Sequence, residues 1–324
     1  MGNEKETSGK RGARAEKPTQ VPKEGWKDIG SRVTGELTSD HISIVSAGVA
    51  FYFFLALFPA LLALISIYGL IVDPAEVEQQ MNQIAGILPD QASQMISGIL
   101  QDVAGQAEQT LGWSLGLSVL VSLWSAHQGT SAVFEGVNIA YNEIDERGFF
   151  KQKALTLLFT LAGIIAGILC AALVVVFPVL VGNLNLPSVM QSLILWLRWP
   201  FLALIVIGGL GLVYKKAPDR DNPPFSWVSP GAVTATVLWL TGSLLFSFYI
   251  NNFGNYEATY GSFAAVVILM LWFYLTAFII LLGAEINSEM ELQTYADTTT
   301  GEDKPLGQRN AYHADHVVGR RKDG

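Results

Sequence analysis

Residues 154–181 read ALTLLFTLAGIIAGILCAALVVVFPVLV, a run without one charged side chain. A helix rises about 1.5 Å per residue and roughly 20 apolar residues cross the hydrocarbon core of a bilayer, so this stretch is long enough to span it. One such run alone is also compatible with a buried core helix. Five more accompany it, at about Ile44 to Val72, Leu111 to Tyr141, Leu193 to Tyr214, Pro230 to Ile250 and Ser262 to Glu285. Six in one chain point to an all-α polytopic membrane protein with about six transmembrane helices. Composition agrees: 51% of the 324 residues are hydrophobic and 15% charged, against about 25% charged in a soluble domain. Too little polar surface is left to cover a water-facing globule.

The charges between the runs set an orientation, because Lys and Arg are retained on the cytoplasmic side. Lys23, Lys27 and Arg32 precede the first run, Arg147, Lys151 and Lys153 lie between the second and third, and Lys215, Lys216 and Arg220 between the fourth and fifth. The alternate connections carry none: residues 73–110 hold Asp73, Glu76, Glu78, Asp90, Asp102 and Glu108, residues 182–192 are uncharged, and residues 251–261 hold only Glu257. The expected topology is N-in/C-in, with loops 141–154 and 215–229 in the cytoplasm.

Residues 1–22, with Lys5, Lys10, Arg11, Arg14, Lys17, Pro18 and Pro22 and no apolar core, read as a disordered cytoplasmic tail and not as a signal peptide. Residues 293–324 read as a second such tail, leaving 23–292 as the membrane domain. Trp26, Ile29, Val33 and Leu37 recur at helical steps, which fits either an interfacial helix or one packed on the bundle. Asp73-Pro74-Ala75-Glu76 starts a helix whose Val77, Met81, Ile84 and Leu88 share a face, and Ala92, Met95, Ile99 and Val103 repeat the pattern after Pro89. The two make an acidic helical cap on the outer side.

A net charge of −8 argues against nucleic acid as a partner. Cys170 is the only cysteine, so neither an internal disulfide nor a thiolate metal cage is available.

Chemistry concentrates in the second run. His127, Ser131, Glu135 and Asn138 are spaced to form one polar stripe, and ionisable groups at membrane depth face a bundle interior or a wet cavity. The stripe lines a path for a solute or proton, or it hydrogen-bonds neighbouring helices. Arg198, inside the fourth run between Trp196 and Trp199, either meets an anionic headgroup or substrate or snorkels to the surface. Pro59 removes a backbone donor in mid-run and marks a helix kink. Gly112 with Gly116 and Gly163 with Gly167 permit close helix contact, within the chain or in a homo-oligomer.

The pieces Ala50-Phe51-Tyr52-Phe53-Phe54-Leu55-Ala56-Leu57-Phe58-Pro59, Asn251-Asn252-Phe253-Gly254-Asn255-Tyr256 leading to Tyr260-Gly261-Ser262, and Leu271-Trp272-Phe273-Tyr274 leading to Leu282-Gly283-Ala284-Glu285-Ile286-Asn287 resemble the bacterial YihY/BrkB membrane-protein family. The resemblance runs over about residues 23–292 and implies a six-helix protein of the bacterial inner (cell) membrane. Its members have been labelled virulence factors, transporters and, formerly, ribonuclease BN. A zinc hydrolase needs clustered His and Asp, whereas the four histidines here are His41, His127, His313 and His316; of these only His313-Ala314-Asp315-His316 offers a loose chelate, in a polar tail. No P-loop or G-x-S-x-G elbow is present. The expectation is therefore a non-enzyme without cofactor or metal: a transporter of a small solute, an ion or a lipid, in contact with membrane lipids. The alternative is a non-transporting envelope-organising protein whose acidic cap and tails bind partners.

Overall fold

The computed structural model describes residues 11–71, 108–184, 186–253 and 263–317. Within them the chain is helical, with no strand among the described residues. The helices are α1 (Lys23–Ser39), α2 (Ile42–Ile71), α3 (Glu108–Ala140), α4 (Phe149–Gly182), α5 (Ser188–Lys216), α6 (Phe225–Phe253), α7 (Ala264–Glu291) and the short α8 (Tyr312–Asp315). The acidic outer cap expected over 73–108 lies outside the described residues, apart from the first residue of α3.

Helices α2 through α7 coincide with the six apolar runs. Five of them are long and apolar enough to cross a membrane: Ile42–Ala60, Phe149–Gly182, Ser188–Lys216, Phe225–Ile250 and Ala264–Glu291. The sixth, α3, has 33 residues, about 50 Å of helix, but its serines, glycines, His127 and Gln128 dilute its apolarity. Side-chain placement supports lipid as the solvent. Leu161, Ile164, Ile165, Ile168 and Leu169 of α4 point outward, while Arg220, Glu285, Asn287 and Glu291 are buried. A water-soluble bundle has the reverse arrangement.

The chain forms two compact units, one of residues 51–129 and one of residues 1–50 with 130–324. In the smaller unit, Phe54 and Phe58 meet edge to face at 5.2 Å. Gly129 lies so close to the Phe53 ring that a β-carbon there would press into it. Pro59 sits inside the continuous helix α2; Pro178, Pro200 and Pro230 do the same in α4, α5 and α6.

In the larger unit α6 packs along α7. A β-carbon on Gly231 would overlap the Gly283 carbonyl and the Asn287 side chain, so both glycines are required for this close approach. The Tyr214 hydroxyl of α5 donates to the Ile280 carbonyl of α7 at 2.7 Å. A β-carbon added at Gly163 or Gly167, by contrast, would meet nothing within 4 Å outside its own stretch of helix. Helix α1 packs against the bundle: Ile29 and Val33 share an apolar cluster with Trp227 and Met290, and Leu37 borders it. This decides between the two readings of its apolar face. Asp40 ends α1, and His41, at φ 54, turns the chain into α2.

The expectation of disordered tails is corrected for residues 11–22 and 293–317. Tyr295 donates its N–H to the Ala13 carbonyl at 2.9 Å, and the Thr294 hydroxyl donates to the Ala15 carbonyl at 2.6 Å. Arg309, 4% exposed, donates to four carbonyls, of Lys304 (3.0 Å), Ala296 (3.0 Å), Ala314 (2.7 Å) and Tyr295 (2.9 Å). The segment is organised by a guanidinium fork and backbone groups and not by an apolar pattern, so its composition reads as disorder.

Candidate functional site

The last two turns of α7 read Ala284-Glu285-Ile286-Asn287-Ser288-Glu289-Met290-Glu291. A helix end usually shows one wet face, yet Glu285, Asn287, Ser288 and Glu291 are 0% exposed and Glu289 only 2%. Glu285 and Glu289, four residues apart, share the face turned to α1; Asn287 and Glu291 share the one turned to α6 and the 217–222 segment. Carboxylates buried this deeply need partners, and most have them.

Glu289 binds Arg32 of α1, whose Nη2 also donates to the Glu289 carbonyl at 2.8 Å. Glu291 binds Arg220 at 2.7 Å, with both side chains at 0% exposure, and accepts the Thr298 hydroxyl at 2.8 Å. Arg220 also lies 5.0 Å from the centre of the Tyr141 ring. Burial works against its charge, but Glu291 and its other neighbours outweigh that and raise the guanidinium pKa. Asn287 clamps the first turns of α6, accepting from the Gly231 N–H at 2.7 Å and donating to the Val228 carbonyl at 3.0 Å. Beside this core, Arg147 pairs with Asp145 at 2.7 Å and donates to the Ala217 carbonyl at the end of α5 at 2.6 Å.

Glu285 is the exception. Neither of its carboxylate oxygens has a hydrogen-bond partner, and the same holds for Oδ2 of Asp40, which faces it from the end of α1. Burial, then the charge of Glu36, push the Asp40 carboxyl above its ordinary range, while Glu285 and His41 pull the other way. The hydroxyls of Ser46, Ser131 and Tyr141 are likewise buried without a partner. Native interiors leave few such groups, and each one marks strain, a solvent site or a ligand.

The tail closes over the same end. Tyr312 donates its N–H to Glu143 at 2.7 Å, and the Asn142 amide nitrogen lies 3.1 Å from Nε2 of His313. Burial raises Glu143 from 4.5 to about 7, against the pull of the Tyr312 N–H and Arg220. Burial first, then the charge of Arg220, lower His313 to about 3, so its imidazole is neutral. His316 stacks on Tyr312 at 4.1 Å. Among the described residues no group of three or more His, Cys, Asp or Glu is placed to share a metal ion.

The stripe expected along α3 does not act as one surface in the larger unit. Asn138 is buried and structural: its amide donates to the Phe134 carbonyl and its Oδ1 accepts the Asp219 N–H, both at 3.0 Å. Glu135 is exposed and Ser131 half-buried. His127 belongs to the other unit. Arg198 lies 3.5 Å from the Val174 carbonyl and 5.0 Å from the centre of the Trp199 ring. From Arg198 to Lys216, α5 runs on for about 27 Å, which puts this arginine at the opposite end of the unit from Asn138. Sequence reasoning missed Asp40, Arg220, Glu289 and Glu291 as site residues. Glu285 and Asn287 were visible as polar residues ending an apolar run, which is the one signal that marked the place.

Comparison with known proteins places these observations. A family model described as Virulence factor BrkB matches residues 33–307, reaching into the tail that docks on α7. The chain is 32% identical over 273 residues to a Bacillus subtilis protein named ribonuclease-like protein YfkH, covering 83% of this chain and 93% of that one. It is 27% identical over 219 residues to a UPF0761 membrane protein of Idiomarina loihiensis, with 67% and 74% of the two chains covered. With a UPF0761 membrane protein of Vibrio parahaemolyticus it shares 26% identity over 264 residues, 80% and 81% of the chains. No solved structure matches.

Proposed function

The chain belongs to the BrkB family of membrane proteins, and from that premise we propose that it is a multi-pass protein of the bacterial inner membrane that moves a small solute, an ion or a lipid across the bilayer. One observation carries the reading: the larger unit retains buried polar groups that have no protein partner, at Ser46, Ser131, Tyr141 and Glu285. An unsatisfied polar group away from water costs several kcal/mol in hydrocarbon. A bundle with only a structural role gains nothing by keeping four of them, whereas a wet or ligand-filled path requires them.

In this reading Ser131 and Glu135 line the path. Asn138 holds α3 to the 217–222 segment. Arg198 anchors α4 to α5 and meets anionic headgroups near the far surface. The cation distribution supports a topology with both termini and the α7 cluster on the cytoplasmic side. The ribonuclease-like label of one relative is not carried over, because His313 and His316 are engaged by Asn142 and Tyr312.

Reconstitution tests the proposal. The parent protein in sealed vesicles is expected to move a fluorescent phospholipid or a small ion faster than protein-free vesicles do, and Ser131→Leu, which fills the path, to slow it. No movement above the protein-free rate for any probe, or parent-like rates in Ser131→Leu, refutes it.

A further inference from the structure

We propose that Asp40 and Glu285 form a proton-binding site in which one proton is shared between the two carboxyl groups, and that this proton is the ion coupled to translocation. The coupling role rests on the translocation reading above; the site itself does not.

The geometry is that of a wholly buried acid met by a half-buried one. Glu285 is wholly buried and both its oxygens lack a partner. The group facing it is the Asp40 carboxyl, whose Oδ2 is also buried and unpartnered. As carboxylates both groups only accept, so neither can satisfy the other; one proton between them turns the same contact into a strong hydrogen bond. A wholly buried carboxylate facing a half-buried one, with the facing oxygens cut off from solvent, does not stay ionised together with it.

Among the described residues, the surroundings offer no uncommitted cation in place of the proton. From α1, Arg32 is committed to the Glu289 carboxylate and carbonyl. Glu36, also on α1, adds a further negative charge and accepts the Ser39 hydroxyl at 2.7 Å. From α7, Glu289 faces the pair as a second acid. At the joint, the His41 ring is exposed and directed to the Thr38 carbonyl at 2.9 Å. Asp40 is also the C-cap of α1, where the negative end of the helix dipole disfavours an anion.

The location turns proton binding into movement. Asp40 sits one residue before His41, the left-handed hinge between α1 and α2. With the proton in place, the hinge is tied to α7. Once the proton leaves, two adjacent anions repel each other and the hinge separates from α7, while the Arg32–Glu289 pair holds the helices together two turns away. A proton taken up or released here therefore changes the end of the bundle where the polar cluster lies.

The test uses the full-length protein. In detergent at neutral pH, infrared difference spectra are expected to show a protonated carboxyl band in the parent that is lost in both Asp40→Asn and Glu285→Gln and kept in Glu135→Gln. Absence of the band, or its survival in both variants, overturns the site. Two variants on different helices keep the reading usable should one of them fold poorly. In vesicles of phosphatidylethanolamine and phosphatidylglycerol, movement of a fluorescent phosphatidylglycerol is expected to change about tenfold per unit of imposed pH gradient, and Glu285→Gln to abolish that dependence. Lipid movement indifferent to the gradient overturns coupling and leaves translocation standing. If no probe moves, the translocation reading falls and coupling with it, and the infrared band still decides the site.

Discussion

Arg220 and Glu291 join the 217–222 segment to the end of α7 through an ion pair with no exposed surface on either side chain. Replacing Arg220 with Met removes the cation and leaves Glu291 buried with only the Thr298 hydroxyl. Breaking one partner of a buried pair costs about 3–5 kcal/mol, because the surviving charge is uncompensated. For a chain of this size that corresponds to a drop on the order of 10 °C in Tm. The double variant Arg220→Met with Glu291→Leu removes both desolvation penalties and is expected to regain most of the loss, since a matched apolar pair is often as stable as the ions it replaces. Circular dichroism of detergent-solubilised protein measures the melting, and trypsin cleavage after Arg309, which is buried in the docked tail, reports release of the tail. Single variants within about 1 kcal/mol of the parent, or a double variant no better than the singles, would refute the assignment of this pair as the clamp that seats the tail.

Tail docking should also depend on pH in two opposed ways. His313, lowered to about 3 from 6.5, contributes stability that is present above 6.5 and lost as pH falls toward 3. Glu143, raised to about 7 from 4.5, contributes stability that is present below 4.5 and lost as pH rises toward 7. The two slopes cancel between 4.5 and 6.5, so the parent shows a plateau there. Glu143→Gln exposes the acid limb alone and His313→Gln the alkaline limb alone, read as Tm against pH by circular dichroism; identical profiles in all three proteins contradict the assignment. Orientation is checked in a Cys170→Ser background: in intact cells an impermeant maleimide should label Gln94→Cys and leave Lys151→Cys unlabelled, and the reverse pattern inverts the topology.

The spans were legible because each is set by local composition: about 20 apolar residues need no knowledge of their neighbours to read as a helix in lipid. The face of α1 was legible for the same reason, since Ile29 and Val33 recur at helical steps and both are buried. What α1 packs against was not, because its partners Trp227 and Met290 are far along the chain. Arg32 and Glu289 lie 257 residues apart, and nothing in either neighbourhood announces the other. Asn138 misled in the opposite direction: its helical register with Ser131 and Glu135 is real, but its amide is consumed by Phe134 and Asp219. The tail failed because Arg309 orders it through four carbonyls, a device invisible to any count of apolar residues.

The end of α7 combines two kinds of acid with different consequences. Glu289 and Glu291 each face an arginine, and these two pairs hold α1 and the 217–222 segment against the end of α7. Glu285 lies one turn earlier on the face of Glu289 and meets another acid instead. An arginine at position 40 would satisfy it and make a third permanent clamp; with Asp40 there, the contact exists only while a proton does. The fixed pairs keep the fold intact through that change, which lets one contact open at the α1–α2 hinge without unfolding the end of the bundle. Substituting Asp40→Asn should therefore lock the hinge to α7 and slow any movement that depends on its release, while leaving Tm equal to or above that of the parent.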